Sequence, residues 1–122
     1  MTTAVPSTRA LAHPAREEIR LEGVLHALSD PLRLQVVREL AGEQVELTCS
    51  QFALPITKST TTHHFRVLRE AGVIQQIYRG TAKLNALRRT DLEALFPGLL
   101  DSILNATTLQ TEREALAAGA SS

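Results

Sequence analysis

The stretch that most constrains the fold runs KSTTTHHFRVLREA from Lys58 to Ala71, with Thr57 before it and Gly72 behind it. Wound at 100° per residue, Thr61, His64, Phe65 and Leu68 fall at i, i+3, i+4 and i+7 and form one inward face. Ser59, Thr62, His63, Arg66 and Glu70 collect on the other. The opening run from Lys58 to Thr62 is a poor helix former, because short hydroxyl side chains compete for backbone groups. A helix that nevertheless begins this way needs a reason beyond its own stability.

The chain around this stretch is punctuated for further helices. Leu21, Leu25 and Leu28, with Val24 beside them, predict a helix over 15–28. Asp30 followed by Pro31 is a restart, an N-cap acceptor and then a ring that fixes φ where no donor is needed. The helix it opens is expected over 31–41, burying Leu32, Val36, Val37 and Leu40, with Gly42 as its left-handed stop. Thr48 with Gln51 reads as a capping box for a short helix through Ala53, closed by Pro55, and Thr57 can cap the next. Residues 73–79 and 81–87 read as two strands around Gly80. Thr90 and Glu93 form a second capping box for a final helix bearing Leu92, Leu95, Phe96, Leu99, Leu100, Ile103 and Leu104, kinked or broken at Pro97 and Gly98. Aromatic residues are 3% against 43% hydrophobic, so the core is aliphatic, which favours helices over a β-sandwich. The expected fold is therefore mainly α with a small β-hairpin, a winged helix-turn-helix in one domain over 15–116. Residues 1–14 and 117–122 are expected to be disordered tails.

Net charge is zero, but the charges are segregated. From Pro55 to Arg89 there are seven basic residues and one acidic, whereas the segments on either side are net acidic. A basic segment between acidic ones suits phosphate binding, and simple solvation of that face is the alternative. The major groove admits one helix, and hydroxyl, imidazole and guanidinium groups can reach its base edges. The sequence thus assigns contact with double-stranded DNA to Lys58, Ser59, Thr60, Thr62, His63 and Arg66 on the helix. Arg79 and Lys83, on either side of Gly80, are assigned to the wing, where phosphate or minor groove is within reach.

Three segments resemble the ArsR family of winged-helix repressors. SDPLRLQVVRELA at Ser29 to Ala41 is similar to the family's second helix, STTTHHFRVLREAGVI at Ser59 to Ile74 to its recognition helix and exit, and YRGTAKLNAL at Tyr78 to Leu87 to its wing. The resemblance covers about half of the chain by motif and nearly all of it by helix order. It implies a repressor, a homodimer built from the N- and C-terminal helices, and a palindromic operator. By position it carries DNA contact to Ser59, Thr62, His63 and Arg66. His64 matches a family histidine, and its place on the inward face suits hydrogen bonding or packing.

The family's metal-sensing patterns are not met. Its paired cysteine positions fall on Thr48 and Ser50, with the single Cys49 between them, and one thiol cannot supply the ligands a soft metal requires. Asp91, Glu93 and Asp101 stand in the last helix without any histidine after His64, and His13 and His26 share no ligand spacing. No metal or cofactor is expected, and the inducer stays open between a small organic molecule, a partner protein and none. One cysteine excludes an internal disulfide, and no signal-like or membrane-spanning run is present, so a cytoplasmic protein is expected.

Leu21, Leu25, Leu95, Leu99 and Ile103 exceed what so small a core can hide, and are assigned to a dimer interface. A second function class is a winged helix reused to bind another regulator, in keeping with the neutral charge and acidic final helix. Catalysis has no support, since there is no phosphate-binding glycine loop, nucleophile motif or carboxylate pair.

Overall fold

Asp30 decides where the second helix begins. In the computed structural model, which describes residues 8–43, 47–48 and 58–120, its carboxylate accepts the backbone N–H groups of Leu32 at 2.8 Å and Arg33 at 3.2 Å. Burial disfavours the charge, but these two donors, together with nearby His64 and Arg33, outweigh it and hold the carboxyl below its ordinary value. The helix so capped, α2, is Pro31–Glu43. It continues through Gly42, which does not adopt the left-handed conformation expected of it.

Before α2 the chain is less continuous than its leucines suggest. A single 3-10 turn, Arg16–Glu18, is closed when the Glu18 carboxylate accepts the N–H of Ala15 at 2.7 Å. Ile19 and Arg20 are then extended, and only Leu21–Ala27 forms α1. The interruption lets the buried Ile19 side chain settle on Gly72. Within α1, Val24 and Ala27 are buried while Leu21 and Leu25 face outward.

The helix α3, Lys58–Glu70, ends at Gly72 with φ +85°. The hairpin follows as β3, Ile74–Arg79, and β4, Ala82–Leu87, paired in register from Ile74 opposite Leu87 to Arg79 opposite Ala82, with Gly80 at φ +65° in the turn. Two short strands, β1, Thr8–Ala10, and β2, Leu47–Thr48, flank it, giving an antiparallel sheet in the order β1-β3-β4-β2. The edge strand β2 pairs with Asn85 and Leu84, so Thr48 lies in a strand instead of capping a helix. The rest of that expected helix, with Gln51 and Cys49, and the Thr57 cap lie outside the described residues.

The N-terminal segment departs from the tail expected over 1–14. Thr8–Ala10 forms β1 and pairs with Ile77, Tyr78 and Arg79. Backbone hydrogen bonding satisfied by an open sheet edge orders this segment despite its lack of apolar periodicity.

The chain divides into two units, Met1–Arg88 and Arg89–Ser122, where the sequence suggests one domain. The core of the first collects Val24, Ala27, Leu28, Val36, Val37, Leu40, Phe65, Leu68, Val73, Ile74 and Ile77. The second is α4, Arg89–Leu95, and α5, Leu99–Ala120, separated where Pro97 and Gly98 were expected to interrupt the helix. Thr90 lies inside α4, so it does not cap it; the Glu93 carboxylate instead accepts the N–H of Gly98, at 3.3 Å to its nearer oxygen. Residues 117–120 are helical rather than a loose end. Beyond Asn105 the side chains of α5 are exposed except for the half-buried Thr107, so most of this helix adds little to any core within the chain.

Gly72 and Gly80 separate two effects. A Cβ at Gly72 would meet Ile19 Cγ1 at 2.5 Å, whereas one at Gly80 would meet nothing. Gly80→Ala is expected to cost about 1 kcal/mol from its left-handed backbone alone. Gly72→Ala should cost about 2 to 4 kcal/mol, since overpacking adds to the same strain. Urea unfolding of both variants checks the difference.

Candidate nucleic-acid interface

The two faces of α3 are sharply divided. His64, Phe65 and Leu68 are buried and Thr61 is half-buried, while Ser59, Thr60, Thr62, His63, Arg66 and Glu70 are exposed. Lys58 opens the helix, and its side chain lies outside the described residues. The 3.6-residue period thus places the hydroxyls, one imidazole and one guanidinium on the surface for the reason given by the sequence: the apolar residues at the i+4 and i+7 positions hold the opposite face inside.

The adjacent histidines part company. His63 is exposed, and His64 is 8% exposed, with ring centroids 5.8 Å apart. His64 Nδ1 lies 3.0 Å from Arg33 Nη1. A guanidinium can only donate, so Nδ1 accepts and the ring proton belongs on Nε2. Arg33 also donates through Nε to the Ala27 carbonyl at 2.6 Å and through Nη2 to the His26 carbonyl at 3.4 Å. Arg33 is itself only 8% exposed.

On the wing, Arg79 is exposed at the strand end next to Gly80. Lys83 is opposite Tyr78 in the ladder, and its Nζ sits 5.7 Å from the centre of that ring, within cation–π range. The ammonium is therefore steadied on the hairpin rather than swinging freely in solvent.

A polar chain joins the wing to α3. Arg69 Nη1 donates to Gln76 Oε1 at 2.6 Å, and Gln76 Nε2 donates to Asn85 Oδ1 at 2.7 Å, with Gln76 and Asn85 both fully buried. Buried amides need partners, and these supply them across β3 and β4. His13 Nε2 accepts the backbone N–H of Gln76 at 2.9 Å, fastening the N-terminal segment to the same strand.

A model for a helix-turn-helix domain matches residues 28–77. An uncharacterized HTH-type transcriptional regulator of Bacillus subtilis (strain 168), YceK, is 33% identical over 89 residues, spanning 71% of this chain and 88% of that protein. The chain belongs to the HTH-type transcriptional regulators. The crystal structure of an ArsR family transcriptional regulator, RHA00566, has the same fold at a TM-score of 0.55, with 22% identity, covering 75% of this chain and 96% of that one. As an HTH-type regulator, this protein carries a helix-turn-helix DNA-binding domain in its first unit.

Sequence reasoning missed four hydrogen-bonding side chains, Arg33, Gln76, Asn85 and His13. Arg33 could have been found from period alone, because Arg33, Val36, Val37 and Leu40 stand at i, i+3, i+4 and i+7 and all four are buried. Leu32, expected in that stripe, is only half-buried. Nothing local marks Gln76, Asn85 or His13, whose roles arise from strand register. Of the carboxylates in the last helices, Asp101 accepts from Arg89 at 3.1 Å. Among the described residues no three His, Cys, Asp or Glu side chains gather as a metal site would require, and no helix is long and apolar enough to cross a membrane.

Acid should loosen the attachment of the N-terminal segment. Desolvation, opposed by a hydrogen bond to the Leu11 backbone and aided by the Arg88 and Arg69 charges, holds the His13 pKa below the ordinary histidine value. The stability of this neutral contact is present above that ordinary value and lost as pH falls through the lowered one. Amide exchange at Gln76, corrected for intrinsic rate, should lose protection over that range, and His13→Ala should remove the dependence.

Proposed function

We propose that this regulator is a cytoplasmic repressor that binds a palindromic operator as a homodimer. The observation that carries the reading is the exposed row of Ser59, Thr60, Thr62, His63 and Arg66 on a helix whose other face is buried. Such a helix fits the major groove, where Arg66 would address guanine and the hydroxyls would reach base edges or phosphate. Lys58 opens α3 and would add a positive charge at its start. Arg79 and Lys83 lie on the wing, suited to phosphate or minor-groove contact beside it.

Dimerisation is supported by the apolar residues that the chain leaves uncovered. Leu21 and Leu25 are 43% and 46% exposed on one side of α1, and Leu109 and Leu116 are exposed on α5. Leu95, Leu99 and Ile103 are half-buried, with apolar surface still available to a second copy. A two-fold dimer would present its two recognition helices to half-sites about 34 to 36 Å apart. Repression follows from the family resemblance, and its relief would come from an unidentified small molecule.

Selection of bound genomic fragments followed by footprinting tests the reading, with enrichment of a symmetric site as the expected result. Arg66→Ala should weaken binding to that site by about 1 to 3 kcal/mol and relax the preference at one base position in each half-site. Failure to enrich any fragment over random DNA at moderate salt would sink the DNA-binding assignment of these side chains. Sedimentation at micromolar concentration should give a dimer; a monomer there would remove the palindrome with it.

A further inference from the structure

We infer that Arg33 is a positioning residue that sets the recognition helix α3 against the C-terminus of α1 through its hydrogen bond to His64, an inference that rests on the DNA-binding reading of α3. His64 is the first buried side chain of α3; ahead of it only Thr61 is even half-buried among the described side chains. The half of α3 that bears Ser59, Thr60 and Thr62 therefore has little apolar packing to hold it, and its sequence resists helix formation. Farther along, Phe65 and Leu68 anchor the helix by burial, which opposes separation but carries no direction.

The bond from Arg33 Nη1 to His64 Nδ1 does carry direction, and it is made by a planar donor that cannot swivel. The Ala27 and His26 carbonyls hold the guanidinium from the α1 side; these are the last carbonyls of that helix, and the His26 carbonyl also accepts from the Ser29 N–H and hydroxyl. Its backbone is fixed in turn by the Asp30 cap, whose carboxylate accepts the Arg33 N–H. One side chain on α2 thus links the end of α1 to the midpoint of α3. A shift of α1 changes the setting of α3, and with it the approach of Ser59, Thr62, His63 and Arg66 to base edges.

The test uses the full chain, the operator obtained by selection and a random duplex of equal length. His64→Asn keeps an acceptor near the position of Nδ1, whereas His64→Leu fills the space without one. His64→Leu is expected to lose tenfold or more of the operator-over-random ratio while binding to random DNA stays within threefold. His64→Asn should retain the ratio within threefold. Arg33→Met should resemble His64→Leu, and the double variant should be no worse than either single one. Long-range nitrogen–proton spectra of the free wild-type protein should show His64 protonated at Nε2 and not at Nδ1, a signature that needs no variant to fold. An unchanged ratio in His64→Leu, an equal loss in His64→Asn, or a proton on Nδ1 would overturn the inference while leaving DNA binding intact. A wild-type protein with no preference for any duplex would overturn both readings.

Discussion

A guanidinium buried among three helices is the constraint on which the first unit depends. Burying a guanidinium such as that of Arg33 is costly unless its donors are satisfied. Its three bonded nitrogens find the ends of α1 and the middle of α3. The Asp30 carboxylate, held ionised by the backbone donors of the following turn, supplies nearby negative charge. Once these bonds form, the apolar residues of α1, α2 and α3 have one arrangement to pack into. The aliphatic core then adds stability without having to specify direction.

The wing is held by a second polar system of the same kind. Gln76 and Asn85 pair across the hairpin inside the protein, and Arg69 reaches from α3 to Gln76. The result is that the helix and the hairpin, which a winged-helix protein presents together to DNA, are joined by directional bonds as well as by burial. The N-terminal strand adds to the outer edge of the sheet, and His13 closes it onto Gln76. Both systems place a histidine or amide acceptor where an arginine or backbone N–H must donate, so the setting of helix and hairpin is defined by hydrogen-bond polarity.

The second unit follows a different logic. Its long helix α5 leaves leucines in solvent and buries little of itself, while Glu93 and the Pro97–Gly98 turn define its start. A helix of this kind gains most of its stability from packing one face, so an uncovered apolar face favours association with another surface.

By itself the sequence determined the amphipathic helix α3, the hairpin and the breaks between elements, because these depend on local chemistry. Lys58 to Glu70 must be amphipathic with hydroxyls outward, Asp30 must cap, Gly72 and Gly80 must turn, and Pro97 with Gly98 must interrupt. Only the tertiary structure decided that Thr8–Ala10 is a strand, that α1 is shortened so Ile19 can meet Gly72, and that Gly42 stays helical. It also decided which polar residues go inside. Gln76, Asn85 and His13 carry no local mark of their roles, and the period that puts Arg33 on the buried face of α2 does not name its partners, since a polar group is admitted to a core only when a partner distant in sequence, fixed by packing and register, stands ready to satisfy it.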